Sequence, residues 1–465
     1  MMYLSMFFYR YLPLPATLLE GKPITYGLQL PYLTFFYETL LFVVSSLAFR
    51  LAFVKGRRNN GLQKLLKEVR FFDVHPISII WILGMIGILA RLSSFAAGSI
   101  EYGDVGGKFI NGLVYLMYVP FVLLFPRLYR TANSLMTSMN RKVVWGYFIF
   151  VTLLGIASNS REGMVAPIAL LFLLYFLQSC KFHNERKRKI NVAKIVLIGV
   201  AVYWIMGVLA DFSMAMLYTR NIRYDVSKTE LLEKTVNTYR NKELMASLKQ
   251  MAQLEKENEL MTYKQGWDET YVDNFMLNRY CNIRITDQTL YYAFHLSDED
   301  KTKMKQHFIS RAIITLPTPI LHFLGIRLDK NDFSYSRGDL LYALGRNTTI
   351  FPGFRVTSHV GDGLATWGLL YFFIQFILFF LVFKLLNSLI YFSNNAPIYS
   401  LYGLVSLFSF FGMFRNANGC IGDLGFCLRG YWQNVILFCL TYQLVCFVSS
   451  LTKMRGYTRQ RCNIQ

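Results

Sequence analysis

Hydrophobic positions in this chain gather into long unbroken runs. Residues 109–126, 364–383, 397–414 and 431–451 each pass about 18 to 21 positions without Asp, Glu, Lys or Arg. A helix rises about 1.5 Å per residue, so each run can cross a hydrocarbon core of about 30 Å. Weaker runs at 31–54, 74–90, 143–157, 164–177 and 195–210 bring the expected total to about nine. The pattern predicts an all-α fold: a polytopic transmembrane helical bundle with one large external, mainly helical loop. It divides the chain into an N-terminal bundle at 1–217, the large loop at 218–363 and C-terminal transmembrane helices at 364–465.

Within the loop, Leu231, Leu232, Val236 and Tyr239 recur at helical spacing and predict a helix over 229–263. Ser297 before Asp298, Glu299 and Asp300 has the form of an N-cap with acids in the first turn. Those acids resemble a metal-holding pair of some glycosyltransferases, but the cap explains them more simply. The apolar stretch 309–326, broken by Pro317 and Pro319 and crossed by Arg311, is expected against the membrane surface or against the bundle. Residues 1–19 are apolar except for Arg10 and are interrupted by Pro13 and Pro15, so an interfacial segment and an extra span both fit. They show no basic region followed by a small-residue cleavage site, and no signal peptide is read.

Charge orients this bundle. Segments 55–70, 127–142, 181–194 and 452–465 hold 6, 4, 6 and 4 Lys or Arg, against only Glu68 and Glu185. Short basic loops stay in the cytoplasm, and all four fall on one side of a nine-span arrangement. The long loop, with 20 basic and 18 acidic residues, is nearly neutral and falls on the other side. The net charge of +21 therefore sits where it meets anionic membrane lipid, and no nucleic-acid partner is expected. The chain is 54% apolar and only 17% charged, poorer in charge than a soluble enzyme. Seven cysteines show no CxxC or Cys/His metal spacing. Cys420 and Cys427 could form a disulfide or remain two thiols. No metal and no cofactor is expected.

Candidate chemistry lies at the outer ends of the spans. Arg161, in the turn Ser158-Asn159-Ser160-Arg161-Glu162-Gly163, sits between two short spans at the membrane boundary. It could clamp a phosphate or pyrophosphate, whose oxygens a guanidinium matches bidentately, or belong to an ordinary hairpin. A second cluster holds Arg337, Arg346 and Arg355 and then Ser358-His359-Val360-Gly361-Asp362-Gly363. His359 and Asp362 could supply acid–base chemistry at a helix mouth, or Asp362 could cap that helix while His359 lies on the surface. Arg415 and Arg429 flank the last external loop, where they could snorkel to headgroups or converge with Arg161 on one pocket. Arg91 is a weaker candidate. Asn347-Thr348-Thr349 is a glycosylation sequon, and the 361–368 glycines lack the strand and lysine of a nucleotide loop.

The late external loop, the S-R-x-G turn at 160–163, Leu316-Pro317-Thr318-Pro319 and the downstream His359-Val360-Gly361-Asp362-Gly363 with Gly368 together resemble bacterial oligosaccharide repeat-unit polymerases, the Wzy-type O-antigen or capsule polymerases. The resemblance implies a glycosyltransferase of the bacterial cytoplasmic membrane. Its partners would be an undecaprenyl pyrophosphate-linked oligosaccharide donor and acceptor, with room for a chain-length regulator. It implies that Arg161 meets phosphate and that His359 or Asp362 deprotonates the acceptor hydroxyl. Glu162, beside the motif arginine, departs from a purely cationic clamp. A flippase or transporter of an anionic lipid-linked substrate and a lipid-linked-glycan ligase are the rival expectations.

Overall fold

The computed structural model describes residues 2–53, 59–96, 105–129, 138–157, 161–181, 207–222, 226–257, 262–326, 333, 335–351, 353, 355–394 and 396–462. The chain opens with two short helices, α1 (Met2–Tyr11) and α2 (Pro13–Leu19). Then come α3 (Pro31–Ala52), α4 (Gly61–Glu68) and α5 (Ile77–Ala96). Helix α6 (Val105–Leu113) tightens into a 3₁₀ stretch over Val114–Leu124 that contains Pro120. An interior proline has no backbone N–H to donate, so one bond of the helical ladder is missing there. Helices α7 (Ser138–Ala157), α8 (Arg161–Lys181) and α9 (Gly207–Tyr218) complete the first half.

Among the described residues, six helical segments are long and apolar enough to cross a membrane. They are Pro31–Ala52, Ile77–Ser94, Gly106–Leu124, Glu162–Lys181, His359–Asn387 and Cys420–Ser450. The expected count of about nine is not confirmed among these residues, for three local reasons. Helix α7 carries Arg141 and Lys142 near its start, which leaves only 143–157 uncharged. Most of the run at 195–210 lies outside the described residues. The run at 397–414 is not one helix, and that expectation is corrected. Its start is a strand of the hairpin β1 (Ile390–Ser393) with β2 (Ala396–Tyr399), and its remainder is two short helices described below. Apolar composition alone cannot reveal such a division, because an extended strand and two short helices bury the same residues as one long helix would.

The long connection is mainly helical. It holds α10 (Lys228–Arg240), α11 (Lys242–Glu257), α12 (Phe275–Tyr280), α13 (Arg284–Phe294), α14 (Asp298–Ile314), α15 (Thr318–Phe323) and α16 (Arg337–Arg346). The single helix expected over 229–263 is two, parted at Asn241, whose ψ of 97° leaves the helical region. Asn241 Oδ1 then accepts the Leu244 amide at 3.0 Å and caps the next helix. Ser297 caps α14 as its sequence requires, accepting from the Asp300 amide at 3.1 Å. Asp298, Glu299 and Asp300 pair with Lys301 and Lys303.

Helix α17 (His359–Trp367) and α18 (Tyr371–Asn387) follow, joined by a tight turn at Gly368. After the hairpin come α19 (Leu401–Val405), capped by Ser400, and α20 (Leu407–Gly412). Helix α21 (Cys420–Gly425) runs through a π-turn into α22 (Tyr431–Cys462). Two groups of contacts mark opposite ends of the bundle. At one, Asn59 bonds the Phe392 backbone, Gln63 bonds Asn387 and Ile390, and Lys181 reaches Pro397 and the Tyr399 ring. At the other, the Gln29 and Leu30 amides donate to Asp287, and Glu20 accepts from Asp273 and Asn274. Asn59, Gln63 and Lys181, from two of the basic segments, thus share one end, and the long connection folds over the other.

Candidate functional site

The site is built where α13 and α16 pack on α17. Ser336 and Asp339 form a reciprocal capping box at the start of α16, which fixes the direction in which the next residue, Arg337, leaves the helix. Arg337 is only 5% exposed. Its Nε donates to Asp362 Oδ1 at 2.6 Å, Nη1 to the Met304 carbonyl at 3.1 Å, and Nη2 to Thr366 Oγ1 at 2.5 Å. Buried charges are tolerated when paired and hydrogen-bonded on several sides, and the planar fork of this arginine meets that condition.

Asp362 therefore does not cap α17. Ser358 does, accepting from the Gly361 amide at 2.8 Å while its hydroxyl lies 2.6 Å from that of Thr289 on α13. A Cβ on Gly361 would stand 2.2 Å from Thr289 Oγ1, so the glycine lets α13 and α17 meet. His359 is not a surface residue either. It is 1% exposed, with Nε2 3.1 Å from Asp423 Oδ2. The same carboxylate oxygen accepts from Gln375 Nε2 at 2.7 Å, and Gln375 Oε1 receives the Cys420 thiol at 2.8 Å. Cys420 and Cys427 are both free thiols. His359 Nδ1, Asp362 Oδ2 and Asp423 Oδ1 are buried without a hydrogen-bond partner among the described residues. Unmet buried polar atoms are expensive, and here three gather around the turn that begins α21.

The other expected residues separate into two places. Arg355 packs on α16, where Nη1 pairs with Asp339 at 2.9 Å and the guanidinium stacks over Tyr342. Burial alone would raise the Asp339 carboxyl, but the hydrogen bonds from Ser336 and Arg355 outweigh it and hold it below its ordinary value. Arg346 also lies on Tyr342. Arg415 is elsewhere, on a cavity of about 300 Å³ whose walls include Tyr9, Glu162, Tyr280, Phe408 and Asn418. Arg161 begins α8, directly before Glu162, and its side chain lies outside the described residues, as does the 158–160 turn. Gly163 of that motif packs so closely on α7 that a Cβ on Gly155 would stand 2.2 Å from its carbonyl oxygen. Arg429 bonds Gln433 and is not among the residues lining the cavity.

The buried network and the cavity share one wall. Gly422 lines the cavity, and its neighbour Asp423 holds His359. A Cβ on Gly419, earlier in the same segment, would meet Asp362 Oδ2 at 3.1 Å. Sequence reasoning missed Asp423, Gln375, Arg10 and Glu38. Arg10, 1% exposed, pairs with Glu38 at 3.1 Å and donates to the Phe414 carbonyl at 2.9 Å, which fixes the backbone next to Arg415. Glu38 accepts in turn from Thr286 on α13 at 2.5 Å. The signal was present: one base in an apolar terminal segment and one acid in an apolar span are each costly without a partner.

His307 sits against this network, with Nδ1 3.3 Å from Arg337 Nη1 and its ring stacked on Tyr335. Burial, then the charges of Arg337 and Arg311, lower its pKa from 6.5 to about 3. The sign follows: neutral His307 favours the folded state fully above the ordinary value, and this contribution is lost as pH falls from there towards 3. The thermal midpoint in nanodiscs should drop between about pH 7 and pH 5, and His307→Gln should flatten that slope. A variant with the wild-type slope would contradict the burial of a neutral imidazole.

Comparison of the chain with family models, with curated proteins and with solved structures finds no match.

Proposed function

We propose that this protein is a membrane glycosyltransferase that polymerises lipid pyrophosphate-linked oligosaccharide repeat units at the outer face of a bacterial cytoplasmic membrane. The observation that carries the reading is the shared wall: a cavity with an arginine, an acid and aromatic faces lies one residue from a carboxylate that holds a buried histidine. Aromatic faces and hydrogen-bonding groups suit a sugar ring, and Arg415 suits its phosphate. In the reaction, the acceptor hydroxyl oxygen bonds to the donor anomeric carbon as the bond from that carbon to pyrophosphate breaks. The hydroxyl proton passes to His359, and the lipid pyrophosphate leaves with its negative charge met by Arg415 and Arg161. The donor carries a good leaving group, so positioning and charge stabilisation suffice for much of the rate. The concentration of Lys and Arg in the short connections, against a nearly neutral long one, supports an outward-facing site.

Transport of a lipid-linked anion is the second reading. Helices α19 and α20 are too short to span and are divided at Ser406, in the manner of the broken helices that line transporter sites. Deleting the gene in its host and sizing the surface polysaccharide separates the two. Polymerisation predicts loss of the ladder with single capped repeats retained. It also predicts that a normally expressed Arg415→Ala restores less than about one hundredth of the chain extension that wild type restores. Complete loss of surface glycan, with lipid-linked repeats held on the cytoplasmic face, would establish transport instead. An unchanged ladder would exclude the polymerase reading for that glycan.

A further inference from the structure

Helix α15 presents an apolar face that no described part of the chain covers. Ile320, Phe323 and Leu324 are 45%, 90% and 54% exposed. They follow the i, i+3, i+4 spacing that places side chains on one side of a helix, whereas Leu321 points the other way and is 2% exposed. The helix is closed by the Ile326 amide bonding back to the Leu321 carbonyl at 2.9 Å, so the face is fixed in shape. From Ala312 to Ile326 the sequence holds no Asp, Glu, Lys or Arg. Arg311, just before it, is turned away to the Phe333 and Tyr335 carbonyls. A stretch of this kind in water would expose phenylalanine and leucine with nothing gained.

Its height relative to the bundle says what covers it. Thr315, three residues before α15, has its methyl 3.6 Å from where a Cβ on Gly425 would stand. Gly425 lies near the start of the Cys420–Ser450 span, which is 31 residues long. That length is about 46 Å, some 16 Å more than the hydrocarbon core requires. Lys453 and Arg455 follow its far end in the sequence, and basic residues just beyond a span favour the membrane surface over the hydrocarbon core. The excess therefore stands at the end where Gly425 is, and α15 comes level with the headgroups. The exposed apolar side chains of that span, Leu428 at 44% and Trp432 at 40%, continue the same band.

We propose that α15 is an interfacial membrane anchor, with Ile320, Phe323 and Leu324 inserted among the lipid acyl chains of the leaflet beside the cavity. Short apolar faces bind at this depth, a few ångströms into the boundary between headgroup and chain. The anchor ties the long connection to the bilayer and is independent of the reaction assigned above.

The test places a fluorophore on the face. Phe323→Trp is made in the full chain and reconstituted in nanodiscs of phosphatidylcholine, either unmodified or brominated near the top of the acyl chains; wild-type emission is subtracted. Glu299→Trp, whose parent side chain is 79% exposed at the far end of α14, is the aqueous control. Brominated lipid should quench more than half of the emission added at 323 and little of that at 299. Quenching at 323 by aqueous acrylamide but not by brominated lipid would overturn the anchor and leave the face in water. Protection from both quenchers would overturn it in favour of a protein contact such as a second copy of the chain.

Discussion

Replacing Arg337 by methionine should destabilise the protein by about 3–5 kcal/mol, the usual cost of leaving one member of a buried ion pair without the other. Asp362 is fully buried and Arg337 is its only cation among the described contacts. The loss is a large fraction of the roughly 5–15 kcal/mol that holds an ordinary domain together. Lysine should rescue little of it, because the three donors of Arg337 reach Asp362, Met304 and Thr366 in different directions, and one ammonium cannot replace that fork. The double variant Arg337→Met/Asp362→Leu should recover most of the stability, since removing both partners of a buried pair is often close to neutral. Thermal unfolding of the detergent-solubilised chain, followed by size exclusion, measures all three. A single variant as stable as wild type would mean that the pair does not form. The folded double variant then asks a second question, because it lacks Asp362. If it still extends glycan, Asp362 is the counter-ion of Arg337, and the proton-accepting role belongs to His359 alone.

The parts of the fold that were legible in the sequence are those whose physics is local. An uncharged run must be buried in protein or lipid, and the runs at 109–126, 364–383 and 431–451 became spans or parts of them. Ser297 before three acids could only begin a helix. The run at 397–414 was misread because its division depends on Ser400 and Ser406, which cap or interrupt a helix at short range while leaving its average hydropathy unchanged. Helix α13 was hidden for the opposite reason. Its sequence, with Arg284, Thr286, Asp287, Gln288 and Thr289, reads as a polar surface, yet all five are buried. Asp287 alone accepts from Gln29, Leu30, Thr34 and Tyr263, residues more than 250 positions away in three cases. Partners at that separation leave no periodic trace. For the same reason His359 could be named from its motif, while Asp423, which gives it direction, could not.

That division between a named residue and its hidden partner can be tested on activity. On the proposed reaction, His359→Gln should lower glycan extension by about 10²- to 10⁴-fold, the range associated with a positioned general base. Glutamine can retain a hydrogen bond to Asp423, so the variant should reach wild-type amounts in the membrane. Asp423→Asn leaves the imidazole in place but removes the acceptor that orients it, and an amide nitrogen facing His359 Nε2 favours the wrong tautomer. Its loss should be smaller than that of His359→Gln. The two together should be no worse than His359→Gln alone, because residues that act as one unit do not add. Extension is read as the mean number of repeats joined per unit of enzyme, from purified lipid-linked repeats in nanodiscs. Additive losses would separate Asp423 from His359 and leave the carboxylate as a packing element that hydrogen-bonds Gln375. A His359→Gln variant keeping half of the wild-type rate would remove the histidine from the chemistry and leave Arg415 of the cavity as the remaining candidate.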